Sequence, residues 1–301
     1  MSNPRLSVVV CTFNQAGLLA GCLRSLVDQT LDKALYEVVV VNNNSTDKTQ
    51  EIAGSFAAEH KSFRVLFEAQ QGSSHARNCG WKSAKGDIVA YIDDDAKASP
   101  DWCERILRAF ASVSPKPIAV GGEIHPFYER TPPKWFVDEF EIRTWGTTAR
   151  FLHPRRPWDK VSFSGSNMAF QRQAVQELGG FSPSFGPIGT SYSLGEDTEF
   201  VSRVYQKYPL LWYDPDIKVF HYTPVRNMKI SYRFQRAFKA GQAVGRMRTR
   251  SFYYFTYPLY CAYLLILPAT VPFSLLKKQR VLTALVKKIE TMGYVLGYLS
   301  G

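Results

Sequence analysis

The sequence predicts an α/β fold with a central, mostly parallel sheet, on three observations. Short β-branched runs (LSVVVC, EVVVVN, RVLFE, DIVAYI) alternate with helix-length patterns through the first 120 residues. These runs are continuously apolar, as strands covered on both faces are. The chain has 301 residues, 45% of them hydrophobic, enough for one large α/β domain and an appendage.

Taken in order, the first strand covers residues 6–11 and is followed by a helix over about 15–29. A second strand over 37–42 leads to a helix from about residue 47, a third over 64–68 to a helix over about 74–84, and a fourth covers 87–92. The next helix has Ser99 as its cap, Pro100 and Asp101 in its first turn, and Trp102, Ile106 and Phe110 as a core stripe. Residues 121–163, rich in Pro, Arg and Trp, read as a long functional loop. Regular structure resumes with SGSNMAFQRQAVQELGGF, a Gly/Pro/Ser loop over 182–194, a helix opening with GEDTEF, and a strand-like IKVF.

Ligands of such sheets bind where the carboxyl ends of the strands emerge. Thr12 to Asn14, Asn42 to Asn44 and Asp93 to Asp95 stand at those ends, so three polar clusters converge on one rim. Three carboxylates after a buried strand need a positive counterpart. Spaced D-x-D, they are hard ligands suited to Mg²⁺ or Mn²⁺, which complete their shells with water and phosphate oxygens. Capping of the following turn accounts for one or two of the three, and the Asn triplet can form a turn, which is compatible with its binding a ligand.

Composition narrows the classes. Five scattered cysteines without a CxxC pair argue against a disulfide framework or structural zinc and fit a reducing cytosol. The start of the chain passes into a strand with no signal peptide apparent. No GxGxxG follows the first strand, against a dinucleotide oxidoreductase. The net charge of +11 suits a polyphosphate ligand, an anionic membrane or nucleic acid, but no nucleic-acid-reading motif appears and an acidic rim repels phosphates unless a metal is bound.

The segments VVVCTFNQAGLLAGCLRSLVDQT, VVVVNNNSTDKT, GSSHARNCGWKSAKGDIVAYIDDDA, GSNMAFQRQAVQELGGF and GEDTEFVSRV, in that order, closely resemble the family 2 glycosyltransferases. The resemblance implies a GT-A nucleotide-binding sandwich as a catalytic domain over 1–240, while the basic and apolar composition of 241–301 reads as a helical, membrane-associating tail. It also implies inverting, metal-dependent transfer from a nucleotide sugar, with a UDP-sugar favoured, to an acceptor hydroxyl. Thr12, Asn14, Asn42 and Asn43 then hold the base and ribose; Asn42 stands where Asp is usual and keeps hydrogen bonding without the charge. Arg77 is the charged contact to the nucleotide, and Asn167 the polar candidate of the SGSN rim.

Asp95 is implied as the first metal ligand, with Asp93 binding ribose, metal or metal-bound water, and Asp94 as the variable position of the donor motif. Asp197 matches the general base and Glu196 the adjacent acid; a helix N-terminus lowers Asp197's proton affinity, so burial or Glu196 must compensate. His221 is either a late metal ligand or a buried structural histidine. Trp135, Trp145 and Trp158 provide either an acceptor platform or ordinary packing.

Residues 251–276 carry no charged side chain and are interrupted by Pro258, Pro268 and Pro272. Three readings stay open: an interfacial or re-entrant segment, a true span, or a buried helix pair. With the basic stretch from Arg226 to Arg250, the tract suggests the cytoplasmic membrane face and a lipid-linked glycan acceptor in envelope or exopolysaccharide synthesis. A polyprenyl-phosphate sugar transferase and a non-catalytic sugar-nucleotide-binding scaffold are the alternatives.

Overall fold

The computed structural model describes residues 3–154, 161–189, 194–246, 285–286, 288–292 and 296. Trp158 and the apolar tract over 251–276 lie outside them. Among the described residues no helix is long and apolar enough to cross a membrane.

The parallel core forms as the apolar runs predict. β1 (Leu6–Thr12), β2 (Tyr36–Asn42), β3 (Phe63–Phe67) and β4 (Ile88–Asp93) run parallel in the order β3-β2-β1-β4. Val8, Val10, Val38, Val40, Ala90 and Ile92 face one apolar cluster, and the alternate residues Val9, Val39, Val89 and Tyr91 face a second. This alternation with no polar face is why both sides must be covered.

The first cluster is closed by α1 (Ala16–Val27), α2 (Thr49–Glu59) and α4 (Trp102–Ser112). The second is closed by α3 (Ser73–Ser83), α5 (Arg172–Glu177) and α6 (Glu196–Lys207). The expected stripe of Trp102, Ile106 and Phe110 is buried. Ser99 does not cap α4: its hydroxyl bonds Asp101, and Asp101 takes the flanking position.

Beyond β4 the sheet becomes mixed. β5 (Ala96–Ala98), β6 (Ala119–Tyr128), β7 (Arg150–Phe151), β8 (Met168–Gln171) and β9 (Leu211–Thr223) continue it as β4-β8-β6-β9-β5, with β7 beside β9. β8 runs antiparallel to β4 and β6, and β9 antiparallel to β5 and β7. The expected loop over 121–163 is thus partly strand: β6 runs through Pro126, and this Pro masks the strand pattern in the sequence.

Two compact units divide the described chain. The first comprises 1–127, 141–192 and 196–222 and carries the sheet and α1 to α6; the second comprises 128–140, 193–195 and 223–301. The second includes α7 (Ile230–Arg246), which runs through the boundary expected at 240.

Candidate active site

Strand register assembles the rim. Thr12 pairs with Asn42, and Cys11 with Asp93, so the three strand-end clusters emerge side by side. β8 pairs Met168 with Tyr91 and runs antiparallel, so the same register carried back two residues sets Ser166 opposite Asp93. β9 pairs His221 with Ala96, which brings the imidazole beside Asp95.

Asp93, Asp95 and His221 form one group whose ligand atoms lie within 4.8 Å of one another. His221 Nε2 is 3.2 Å from Asp95 Oδ1 and 3.7 Å from Asp93 Oδ2. Burial pulls the imidazole pKa down, but Asp95 and Asp93 outweigh it and raise it to about 9. Burial opposes the charge on Asp93, yet His221, Arg77 and Ser166 together draw its pKa to about 2. Asp94 is pushed well above the usual carboxylate range by burial and by Asp95 and Asp93, against the lowering influence of Thr12 and the Phe13 N–H. Two hard carboxylates and an imidazole converging on one point fit Mn²⁺ or Mg²⁺.

The second carboxylate site opens α6. Asp197 Oδ2 accepts the Gly165 N–H at 2.9 Å, and Oδ1 accepts the Thr198 N–H at 2.6 Å. Its pKa is raised, first by burial and then by Glu196, against the lowering effect of Arg77 and these N–H donors. The lowering effect expected of a helix N-terminus on Asp197 is therefore outweighed.

Between the two sites lies Arg77, 6% exposed. Its Nη1 donates to Glu196 Oε1 at 2.6 Å and its Nη2 to Asp93 Oδ1 at 3.4 Å. Glu196 and Asp93 hold the guanidinium protonated more firmly than usual, overcoming the opposing effect of burial.

Several expected residues meet protein partners instead of open space. Asn14, at φ 51°, accepts the Thr46 N–H at 2.7 Å and ties the first strand-end loop to the second. Asn42 donates to Gln50 and accepts from the Ser45 N–H. Asn43 donates to the Glu68 and Gln70 carbonyls and accepts the Gly72 N–H at 2.7 Å, so it shapes the turn into α3. Thr12 is buried at 2% exposure, its hydroxyl beside Asp94.

Asn167 points away from the rim. It accepts from the Trp102 indole at 2.9 Å and donates to the Glu123 and Ile217 carbonyls. Its neighbour Ser166, which the sequence does not single out, donates to Asp93 Oδ2 at 2.5 Å. The antiparallel run of β8 beside β4 was the missing signal. Trp145 donates to the Ser162 carbonyl and packs on the second apolar cluster. Trp135 belongs to the second unit and packs against Phe136 and Phe140.

The family model for glycosyl transferase family 2 matches residues 7–179. Glycosyltransferase AglE of Haloferax volcanii is 40% identical over 207 residues, covering 66% of this chain and 61% of that protein. The succinoglycan biosynthesis protein ExoM of Rhizobium meliloti is 26% identical, covering 80% of this chain and 74% of that protein. The chain spans 31% of the length of another relative, the putative glycosyltransferase EpsH of Bacillus subtilis. Among solved structures, mannosyltransferase PcManGT from Pyrobaculum calidifontis, in complex with GDP-Man and Mn²⁺, superposes with a TM-score of 0.67 at 20% identity, covering 99% of this chain and 88% of that one. S. aureus TarS 1–349 in complex with UDP-GlcNAc gives 0.57 at 18% identity, covering 98% and 91%. At these identities the structures establish the GT-A-like fold.

Proposed function

The chain belongs to glycosyl transferase family 2 and is a glycosyltransferase, and on that premise we propose that it moves a sugar from a nucleoside diphosphate donor to an acceptor hydroxyl with inversion at the anomeric carbon. The observation that carries this reading is the joining of two acidic sites through one cation: Asp93 of the Asp93–Asp95–His221 group and Glu196 beside Asp197 both engage Arg77.

In this reading Asp95, Asp93 and His221 hold Mn²⁺ or Mg²⁺ at the carboxyl end of β4. The bound metal supplies charge neutralisation for the departing nucleoside diphosphate. Asp197 takes the proton from the attacking hydroxyl; its raised proton affinity brings it nearer the working pH. The Gly165 N–H orients that carboxylate. Thr12 and the Asn14, Asn42 and Asn43 loops frame the donor's nucleoside end, largely by fixing backbone shape. A UDP-sugar is the favoured donor and GDP-sugars the competing class, since solved neighbours are complexes with each.

The acceptor we propose is a lipid-linked glycan at the cytoplasmic membrane face, in exopolysaccharide or envelope synthesis. Supporting it are the resemblance to a succinoglycan biosynthesis protein and the basic helix α7, with Arg236, Lys239 and Arg246.

The test is calorimetry and nucleoside diphosphate release with UDP- and GDP-sugars, in Mn²⁺, Mg²⁺ or chelator. Wild type is expected to bind one donor only with metal, and Asp95→Ala to lose that binding. Donor binding with no release of nucleoside diphosphate would replace the enzyme with a scaffold, and absence of donor binding in any metal would remove the acidic rim as a donor site.

A further inference from the structure

We infer that Arg77 is a positioning residue, tying the metal-holding carboxylate Asp93 to the base-bearing turn at Glu196, and that it does not bind the donor's phosphates or base. The inference rests on the glycosyltransferase reading above and departs from the nucleotide contact that the sequence implies for this position.

Geometry carries it. The guanidinium is enclosed on several sides: Glu196 lies at 2.6 Å, Asp93 at 3.4 Å, and the Phe181 ring has its centroid 5.6 Å away. Gly165 lies so close that a Cβ there would overlap the guanidinium. A donor oxygen reaching Arg77 has to displace a carboxylate already in charge-assisted contact, exchanging one anion for another. The planar fork suits this bridging, because its separate N–H edges serve two acids at fixed separation, which a single ammonium does not.

Chain connectivity explains what the bridge accomplishes. Asp93 ends β4, Arg77 lies on α3 and Glu196 opens α6, three elements that no strand pairing joins to one another directly at this point. Asp197 follows Glu196, so fixing Glu196 fixes the turn that aims the base. Without the cation, Glu196 and Asp93 are left as like charges in a poorly solvated place and are expected to separate.

The experiment compares wild type with Arg77→Lys, Arg77→Met and Glu196→Gln, the last breaking the same pair while leaving Arg77 in place. Calorimetry with UDP and GDP in Mn²⁺ reads nucleotide binding. Nucleoside diphosphate release from UDP-GlcNAc or GDP-mannose, with water as acceptor, reads kcat and KM. We expect kcat to fall about 100-fold in all three variants, the cost of misplacing a reacting group. With Mn²⁺ raised until it saturates each variant, so that a loosened Asp93 no longer limits metal binding, nucleotide dissociation constants and donor KM are expected to stay within about threefold of wild type.

A rise of about tenfold or more in nucleotide dissociation constant in the Arg77 variants, with Glu196→Gln unaffected, overturns the inference and restores Arg77 as a donor ligand. Unchanged kcat in Glu196→Gln overturns it as well. That variant decides the matter if the Arg77 variants do not fold by circular dichroism. Wild type that binds neither nucleotide overturns the enzymatic reading itself, an outcome distinct from normal wild-type binding with altered binding in the Arg77 variants.

Discussion

Ser166 donates its hydroxyl to Asp93 Oδ2 at 2.5 Å, beside the carboxylate's contact with His221. Such a bond fixes which oxygen of Asp93 faces Asp95 and His221, and outer partners of metal ligands typically contribute about 10- to 100-fold to metal affinity. We therefore predict that Ser166→Ala weakens Mn²⁺ binding about tenfold while the fold is retained. Titration followed by the paramagnetic resonance of free Mn²⁺ measures this directly, and wild-type affinity in the variant would refute it.

Asp197→Asn is expected to slow transfer by about 10² to 10⁴ with nucleotide affinity unchanged, since only proton transfer is lost. Because burial and Glu196 raise this carboxyl above its ordinary 3.8, the acid limb of wild-type activity should lie at higher pH than a free aspartate dictates. The rate rises with pH as the base loses its proton, then levels off. Full activity in Asp197→Asn would point to an acceptor that needs no deprotonation, such as a polyprenyl phosphate.

The same shift has a stability counterpart. The folded protein holds the Asp197 proton more tightly than the unfolded chain, so this group's contribution to stability falls as pH rises from the ordinary carboxylate range through the raised value. Asp197→Asn removes that loss. Its melting temperature relative to wild type is predicted to be higher at neutral pH than in acid, and a constant difference across the range would count against the shift.

Gly165→Ala places a Cβ against the Arg77 guanidinium, with Cζ only 3.2 Å away. Since Arg77 is held by Glu196 and Asp93, it cannot retreat without breaking an ion pair. The expected cost is about 1 to 3 kcal/mol of stability, as for overpacking elsewhere, together with loss of turnover. Chemical denaturation and the release assay read the two effects; a variant with both properties of wild type would show that the loop gives way.

Asn167→Ala distinguishes a donor contact from a scaffold. It leaves the Trp102 indole N–H and the Glu123 and Ile217 carbonyls without this partner, which predicts about 1 to 3 kcal/mol of destabilisation. Donor affinity should survive in the folded fraction. Calorimetry showing lost nucleotide binding with undiminished stability would reverse the assignment.

Much of this architecture was legible because its signals are local. The continuous valine runs of β1 and β2 demand cover on both faces, and the polar residues after each run mark the rim. Legibility failed where a local signal competed with pairing. Pro126 and the arginine-rich stretch after it hid β6, and Ser99 carried a cap pattern that the chain uses to hold Asp101. Asn167 drew attention by its chemistry, whereas Ser166 owes its contact to register across β8 and β4.

The α/β class, the alternation of strands and helices, the acidic strand end and the family can be read along the chain, because hydrophobic period and motif spacing are properties of neighbouring residues. Folding in three dimensions is what sets His221 beside Asp95, turns Arg77 to Glu196 and Asp93, and lets Gly165 and Ser166 each hold one acid. These contacts join residues up to 126 positions apart, as between Asp95 and His221 (221 − 95 = 126), and their partners are set by strand register and by the helices packed on each face. The physical reason is that a carboxylate's protonation and aim depend on which charges and donors the fold brings within a few ångströms, and the linear order of residues does not state that distance.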